Sequence, residues 1–585
     1  MTRDRFSMLL LPAVALIAVL PLVVHGCSCG HDFDFHLLNW LEAARQFRHG
    51  NLYPQWAFSA AWNAGEPRFV FYPPASWTLG ALLGTLFGFA AAPVLYTWLV
   101  LTAAGVAMYH LARGLVASTP ALVAAVLYAV NPYMLFTALE RTAYAELLAA
   151  ALLPLLLAGI LRPQLSLPRL AMPLAALWLC NVPAAIIGSY GLALLAMSRL
   201  AFPGLALSQQ NVAAPSTCSV QPTWVRDRVP QASRLVEAAR GVLATLLGLG
   251  LAAFYLLPAI REQRFVQIHM ATLPGMRVQD NFLFQRTGNT PDQLLHDQVL
   301  HTASAIAVGL LAVTAALLWL AWHRVESPAA PHPQQPLPRA QRPLLASLAL
   351  VTAVVALLLT PLSLPLWQHL PRLGLLQFPW RLLCLQASVA GLALALVLQS
   401  VRLSRLRATV GALLLATLLA WSGYRSFHQP CDDEDTVAAQ LAAFRQRTGS
   451  EPTDEYTPVA ADNDALAATN PGYWLAASAG QPAPAGQPAA PAPLHLTVAP
   501  DSPCWLILNL RAYPAWRVLR NGQPVTVSPT ARPDGLLALP LPAGRSHLDI
   551  EYTELPGHRL GAWVSLLSLC LLAALCWPSR RRRNA

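Results

Sequence analysis

Long apolar blocks constrain this chain more than any other feature. A block of about 20 apolar residues is long enough to cross a hydrocarbon core of about 30 Å. The composition agrees, because 55% of the 585 residues are hydrophobic and only 11% are charged, against about 25% charged in soluble domains. The expected fold class is therefore a polytopic α-helical membrane protein with about 11–13 transmembrane helices. The blocks cover 6–24, 93–112, 119–137, 144–161, 170–198, 241–258, 301–321, 344–361, 377–398, 406–424 and 559–577, and a further apolar stretch covers 73–90.

The basic residues indicate an orientation in the membrane. The chain contains no lysine, its formal net charge is +11, and its arginines cluster in short connections, the pattern of cytoplasmic loops in multispanning proteins. We therefore expect both termini in the cytoplasm of a bacterial inner membrane and the acidic segment 425–557 outside. Arginines scattered among loops argue against nucleic-acid binding. The clusters are Arg3 and Arg5; Arg226, Arg228, Arg234 and Arg240; Arg402, Arg405 and Arg407; and Arg580 to Arg583.

The first apolar block has two interpretations. Val24-His25-Gly26-Cys27 approaches a lipoprotein cleavage box, but the block exceeds the usual signal core of about 7–15 residues, so a retained helix is favoured. Among the nine cysteines, four fall in segments expected outside, where a disulfide can persist. One bridge is possible, and its partners stay open. The four are Cys27, Cys29, Cys431 and Cys504.

Two arrangements of the N-terminal half are compatible with hydropathy. In the first, 170–198 forms two short helices that turn at residues 181–183, 73–90 dips into the membrane and returns, and Glu140-Arg141 lies outside. In the second, 73–90 crosses, 170–198 is one span, and Glu140 lies inside. We favour the first arrangement because it places these charges beside the acidic first outer loop.

The chain is expected to divide into a transmembrane domain (1–424), an outer mostly β domain (425–557) and a C-terminal helix with an arginine tail (558–585). Residues 476–493, rich in Ala, Pro, Gly and Gln, read as a flexible linker. Alternating apolar residues predict strands, and Asn521-Gly522 predicts a type I′ hairpin. A small β-sandwich should result. The predicted strands are Leu494–Val498, Trp505–Leu510, Trp516–Leu519, Leu536–Leu541 and His547–Tyr552.

The first outer loop, 25–74, holds the candidate catalytic residues. Asp32 and Asp34 lie two positions apart between His31 and His36. If the chain is extended there, both carboxylates point the same way and can share Mg²⁺ or Mn²⁺. Either could instead be a general base for an acceptor hydroxyl, and solvated loop residues are the plain alternative. Phe35–Phe47 is predicted to be an amphipathic surface helix.

Several motifs together resemble the GT-C class of polyprenyl-phosphate-dependent membrane glycosyltransferases. They resemble more narrowly the bacterial membrane proteins labelled "6-pyruvoyl-tetrahydropterin synthase-related" and the YfhO-like group. The order of the motifs carries the resemblance: an outward first helix, an acidic pair at its outer end, surface helices and a Tyr-Pro-Pro before the next apolar segment. The motifs are Phe71-Tyr72-Pro73-Pro74, Asn131-Pro132-Tyr133, Glu140 to Glu146, Tyr255-Leu256-Leu257-Pro258, Gln377 to Arg381, and Tyr513 to Arg517.

The resemblance implies a donor of the form polyprenyl-phosphate–sugar at the outer interface and a lipid, glycan or protein hydroxyl as acceptor. The key carboxylate of the first outer loop maps onto Asp32 or Asp34. Arg141 and Arg381 are candidates for the phosphate, because guanidinium matches phosphate oxygens; a Glu–Arg pair at helix ends and interfacial snorkelling are the structural alternatives. The full candidate set for substrate binding is His31, His36, Glu66, Arg68, Tyr72, Glu140, Arg141, Glu146, Trp380 and Arg381.

Two other functions compete with sugar transfer. A transporter or flippase of lipid-linked precursors would need polar residues near the bilayer midplane and internal repeats. A non-catalytic sugar-binding or assembly protein would work through its outer β domain. The chain carries no phosphate-binding loop, dinucleotide fingerprint or zinc-protease motif, so an ATP-driven pump is not expected.

Overall fold

The computed structural model describes residues 2–162, 165–201, 231–326, 341–401, 404–527 and 532–577. The arginines at 226, 228, 402 and 580–583, which support the predicted orientation, lie outside these residues. The helices are α1 (Thr2–His25), α2 (Phe33–Arg48), α3 (Arg68–Phe71), α4 (Pro74–Phe87), α5 (Ala92–Arg113), α6 (Ser118–Ala129), α7 (Pro132–Leu135), α8 (Tyr144–Ile160), α9 (Leu167–Cys180), α10 (Val182–Ala201), α11 (Gln231–Leu251), α12 (Ala253–Glu262), α13 (Pro291–Glu326), α14 (Arg342–Leu358), α15 (Leu364–His369), α16 (Leu383–Gln399), α17 (Arg405–Phe427), α18 (Val437–Gln446) and α19 (Pro556–Cys576).

The helices have the lengths of a polytopic membrane protein, as predicted. Within the described ranges, eight helical segments are long and apolar enough to span a membrane, and two sharply bent pairs bring the number to ten. The pairs are α11 with α12, bent by 75°, and α14 with Pro361–His369, bent by 95°. Two shorter apolar helices, α8 and α9, add to this set.

The arrangement of 170–198 as two helices is confirmed. α9 ends at Cys180 and α10 begins at Val182, because the Asn181 side chain accepts a hydrogen bond from Ala184 N (2.9 Å) and so caps the new helix. Near the other end of α10, Arg199 donates to the Ile160 carbonyl (2.7 Å), so the pair returns to the end where it began. α4 has only 14 residues, short of a full crossing.

Glu140 and Arg141 lie at the same end of the bundle as the first loop, as favoured above. His31 N and Asp32 N donate to the carbonyls of Glu140 and Arg141, at 3.4 and 2.9 Å. Gly30 permits this approach, since a Cβ there would lie 2.2 Å from the Glu140 carbonyl oxygen. A π-helical turn, Phe136–Glu140, directs the chain from α7 to this contact.

The C-terminal region contains the predicted β-sandwich. One sheet has the order β1-β3-β6 and the other β2-β7-β4-β5, with antiparallel pairing throughout. Asn521 and Gly522 have φ of 51° and 78° and form the predicted hairpin turn. The hairpin joins β4 to β5, a strand that was not predicted, while Leu536–Leu541 pairs in the other sheet. The strands are β1 (Tyr473–Ala476), β2 (His495–Val498), β3 (Cys504–Arg511), β4 (Trp516–Arg520), β5 (Gln523–Val525), β6 (Leu536–Leu541) and β7 (Ser546–Tyr552).

The sandwich packs on the end of the bundle that carries the first loop. Trp56, from that loop, contacts the rings of Tyr513 and Trp516 at 5.7 and 5.4 Å between centroids. Tyr513 also donates to the buried Glu262 carboxylate at the end of α12 (2.6 Å). The first outer loop is therefore enclosed between helices and strands, which fixes its side chains.

Candidate active site

The two candidate catalytic carboxylates face different partners. The condition of an extended backbone, on which a shared metal ion depended, is not met, because α2 already begins at Phe33 and Asp32 is its N-cap residue. Residues two positions apart on a helix point to different sides. Asp32 lies 3.7 Å from the Arg141 guanidinium, while Asp34 pairs with the Asp435 carboxyl. The geometry therefore does not support a metal ion shared by Asp32 and Asp34.

A buried carboxylate, Glu146, organises the charged part of the site. Its carboxylate accepts a hydrogen bond from Arg141 Nη1 at 2.7 Å and another from the Tyr133 hydroxyl, and it lies 3.4 Å from Arg381 Nε. Asp32 completes the group on its outer side and keeps 44% of its side chain exposed. We call these five residues the Glu146 cluster.

Aromatic rings hold the two arginines in place. The Arg141 guanidinium lies over the Trp380 ring at 4.5 Å, and that of Arg381 over the Phe378 ring at 5.0 Å. The two rings stack on one another at 5.2 Å. Stacking on aromatic faces leaves the edges of a guanidinium free for hydrogen bonds. Arg381 Nε indeed makes no hydrogen bond to any of the described residues.

An apolar groove of about 740 Å³ adjoins the Glu146 cluster. Tyr133 belongs to both, since its ring lines the groove and its hydroxyl bonds to Glu146. The groove runs between α6, α13, α16 and α17, and its wall at Gly309 and Val313 is exposed, so it is open along one side. Its walls also include Leu127, Tyr128, Ile306, Leu310, Ala390, Gly391, Leu394, Leu415 and Leu419.

The histidines beside the carboxylates are poor proton carriers at neutral pH. His36 is fully enclosed by Phe35, Tyr72 and Tyr144, and burial lowers its pKa to about 4. Burial also lowers the pKa of His31, which the neighbouring Arg141 and His296 lower further against the effect of Asp32. On the buried face of α2, the uncharged His36 ring thus packs against Tyr72.

Asp435 belongs to the site although the sequence did not assign it a role. Burial first, and then the facing Asp435 carboxyl, raise the pKa of Asp34 to about 6. A disulfide between Cys29 and Cys431, with Cα atoms 4.9 Å apart, brings the two segments together. The acidic run at 432–435 was a visible signal, but only the pairing of these cysteines would have placed it. Tyr133 and Phe378 also contribute to the site, but the sequence showed them only as parts of motifs and indicated no role for either residue.

Three of the predicted substrate-binding residues make contacts that support the first loop and do not belong to the Glu146 cluster. Glu66 and Arg68 form their own buried ion pair at 2.7 Å, which Asn39 and Thr453 complete. Glu140 contributes its backbone to the first loop, whereas its side chain pairs with Gln429. These three residues support the loop rather than enter the site.

One pair of carboxylates is the best candidate for holding a metal ion. Within the described ranges, the only group of three or more His, Cys, Asp or Glu ligands within 4.8 Å of one another is Cys27, Cys29 and Cys431, and two of these form the disulfide. Asp34 and Asp435 offer two facing carboxylates. Mg²⁺ commonly uses one or two protein carboxylates together with substrate phosphates, so this pair fits a divalent cation better than Asp32 with Asp34.

Comparison with known proteins gives a limited fold-level likeness. No family model matches the chain, and so none supports the narrower family resemblance described above; no curated protein matches it either. Two solved structures of arabinofuranosyltransferase AftD from mycobacteria, one of them a mutant, are similar. Each is 16% identical, with TM-scores of 0.40 and 0.39 over 71% of this chain. The chain spans only 28% and 26% of the two AftD chains.

Proposed function

We propose that this protein is a membrane glycosyltransferase that moves a sugar from a polyprenyl-phosphate donor to a hydroxyl acceptor on the extracytoplasmic face. The observation that carries the proposal is the apolar groove, which meets the Glu146 cluster at Tyr133. A ligand that fits both the apolar groove and the arginines of the Glu146 cluster has a long apolar chain and an anionic head group. A polyprenyl phosphate has that chemistry, and the GT-C resemblance of the sequence motifs implies the same donor.

The Glu146 cluster suits a phosphate group. Glu146 orients both arginines, while the Asp32 carboxylate, at 3.7 Å from Arg141, is too far for a normal hydrogen bond. A phosphate oxygen could therefore replace Asp32 as the partner of Arg141, and the positive charge of Arg381 lies on the other side of the shared Glu146 carboxylate. Charge-assisted bonds from guanidinium to phosphate are about twice as strong as neutral ones.

The chemistry that we propose is a single displacement at the anomeric carbon of the sugar. Asp32, the more exposed carboxylate, accepts the proton of the acceptor hydroxyl. The acceptor oxygen forms the new glycosidic bond as the bond to the phosphate breaks. The polyprenyl phosphate leaves with the electron pair, and its charge is stabilised by Arg141 and Arg381. Asp34 is the alternative base.

The remaining features of the proposal concern the cation, the acceptor and the membrane. A Mg²⁺ or Mn²⁺ ion held by Asp34 and Asp435 would supply extra positive charge for the phosphate. The acceptor is a glycan, lipid or protein hydroxyl. The protein resides in the bacterial inner membrane with both termini in the cytoplasm and the β-sandwich outside, as the distribution of arginines predicts.

The proposal is tested by turnover of a polyprenyl-phosphate–sugar in lipid nanodiscs. Asp32→Asn should lower donor consumption by about 10²- to 10⁴-fold, the usual contribution of a general base, and Asp34→Asn should lower it if Asp34 is the base. Asp501→Asn, at an exposed carboxylate in the β-sandwich, is the matched control and should be fully active. Donor binding without turnover, unchanged in all three variants, would instead indicate a flippase or a sugar-binding scaffold.

A further inference from the structure

Three cysteine sulfurs lie together where the first loop meets the segment before α18. The sulfur atoms of Cys27, Cys29 and Cys431 are all within 4.8 Å of one another. Cys29 and Cys431 form the disulfide, while Cys27 is a reduced thiol and partly buried. The proposed sugar transfer makes no use of this third thiol.

The backbone around the three sulfurs is fixed without the help of the Cys27 side chain. Cys29 N donates to the Gln429 carbonyl at 3.0 Å, and Gln429 N donates to the Ser28 hydroxyl at 2.9 Å. Ser28 in turn donates to the Leu139 carbonyl at 2.6 Å. Segments 27–29 and 429–431 therefore stay close enough for either Cys27 or Cys29 to bond to Cys431, although the two bridges link Cys431 to different positions before α2.

We propose that Cys27, Cys29 and Cys431 form a thiol–disulfide exchange site. The Cys27 thiolate attacks the Cys431 sulfur, the Cys27–Cys431 bond forms, and the Cys29–Cys431 bond breaks. The electron pair leaves on Cys29, which takes up the proton that Cys27 lost. The exchange needs no external oxidant or reductant, because one disulfide and one thiol are present before and after it.

The exchange changes how firmly the acidic pair is held. Cys29 lies shortly before α2, which carries Asp34, and Cys431 lies shortly before Asp435. A bridge from Cys27 leaves two more residues free between the disulfide and α2, so the two carboxyl groups are held together less tightly. This consequence for the site rests on the proposed function, whereas the exchange itself does not.

The rate of exchange should depend on pH. Burial raises the pKa of the Cys27 thiol, and only the thiolate is nucleophilic. The exchange is therefore slow at neutral pH and becomes faster as the pH rises toward the pKa of Cys27.

The decisive experiment maps cysteine bridges in the full-length protein in membranes. Cys29→Ser is equilibrated in a mixture of reduced and oxidised glutathione, alkylated with N-ethylmaleimide, digested and analysed by mass spectrometry. We expect a peptide in which Cys27 is bonded to Cys431. In the double variant Cys27→Ser/Cys29→Ser, Cys431 should lose this bridge and become fully alkylated, and Cys504 should be alkylated in every sample.

The wild-type protein provides the second readout. After the same short incubation, a larger fraction of the molecules should carry the alkyl group on Cys29 instead of Cys27 at pH 9 than at pH 7, because the exchange is faster at the higher pH. The proposal is overturned if Cys27 and Cys431 both remain free in Cys29→Ser under conditions that bridge wild-type Cys431. Recovery of Cys27 as a lipid-modified N-terminal residue would overturn it as well. Neither readout uses donor turnover, so failure here is distinct from failure of the proposed function.

Discussion

Two groups of charged side chains in this molecule each pair buried glutamate with arginine. They differ in whether the charged groups have all their hydrogen-bond partners. The first, which we call the Glu66 bridge, consists of Glu66, Arg68, Asn39 and Thr453. Arg68 donates from three nitrogens to the other three side chains, at 2.7 to 3.1 Å, and Thr453 N returns a hydrogen bond to Glu66. Glu66 is 0% and Arg68 4% exposed, so this group is closed.

The second group, the Glu146 cluster, is open on one side. Two arginines share the single buried carboxylate of Glu146. Asp32 is partly exposed and does not approach Arg141 to hydrogen-bond distance, and Arg381 Nε is unbonded among the described residues. An apolar groove begins beside this group. The comparison indicates that a buried ion pair with all its hydrogen-bond partners links parts of the fold. A buried ion pair that lacks some of these partners and lies beside a groove is suited to receive a charged ligand.

Breaking the Glu66 bridge should give the largest effect on stability. Arg68→Leu leaves the Glu66 carboxylate buried without a charged partner, which costs about 3–5 kcal/mol. Thermal unfolding in nanodiscs should show a clear loss, and adding Glu66→Gln to Arg68→Leu should restore part of it. Donor affinity of the folded protein should not change. A loss below about 1 kcal/mol would show that the bridge is not closed as described.

His36 and Asp34, which lie beside the Glu146 cluster, should make the folding stability depend on pH in opposite directions. His36 has a pKa of about 4 in the folded protein and about 6.5 when unfolded. The unfolded chain therefore binds more protons between these values, and the stability that neutral His36 contributes, up to about 3 kcal/mol, is complete above pH 6.5 and is lost as the pH falls toward 4. Asp34 acts in the opposite direction, since its pKa is raised to about 6.

Single variants should separate these two slopes. Between pH 4 and 6, the change of stability with pH in His36→Gln should be more negative than in the wild type, because His36 no longer opposes the Asp34 effect. In Asp34→Asn it should be more positive than in the wild type over the same range. Unfolding curves measured at several pH values with a chelator present would test this. Identical slopes in both variants would contradict the assigned pKa values.

Removing an arginine from the Glu146 cluster should weaken donor binding more than it lowers folding stability. Arg381→Gln removes a charge-assisted partner of the donor phosphate, worth about 1.5–3 kcal/mol, so affinity for the polyprenyl-phosphate donor should fall about 10- to 100-fold. Arg381→Lys should recover only part of the loss, because an ammonium cannot form the planar, two-bonded contact. Binding that is unchanged in Arg381→Gln would place the phosphate elsewhere.

Local patterns in the sequence predicted most of the helices and strands. They did not predict which residues meet in the candidate active site. Apolar length predicted the spans, and alternation with Asn521-Gly522 predicted the sandwich and its hairpin. β1 and β5 were missed, because Tyr473–Ala476 and Gln523–Val525 give only four and three residues. The start of α2 was placed at Phe35 rather than Phe33, and this small error reversed the expected direction of one carboxylate.

Contacts between distant residues account for what the sequence could not show. The Cys29–Cys431 bridge joins residues 402 positions apart, so the acidic run that contains Asp435 is visible in the sequence but gives no sign of its partner. Glu66 with Arg68 and Glu146 with Arg141 look alike as sequence. Only the partners that fold against them distinguish a closed pair from an open one.

The most direct test of the central claim measures donor binding in a variant with a filled groove. Gly309 lines the groove, and a side chain there would meet open space. Gly411 on α17 has the same freedom but is not part of the groove wall, so Gly411→Leu is the matched control. The account predicts that Gly309→Leu weakens binding of a long polyprenyl phosphate about tenfold, or about 1.4 kcal/mol, and leaves a short prenyl phosphate unaffected. Equal binding of the long chain by both variants would contradict it.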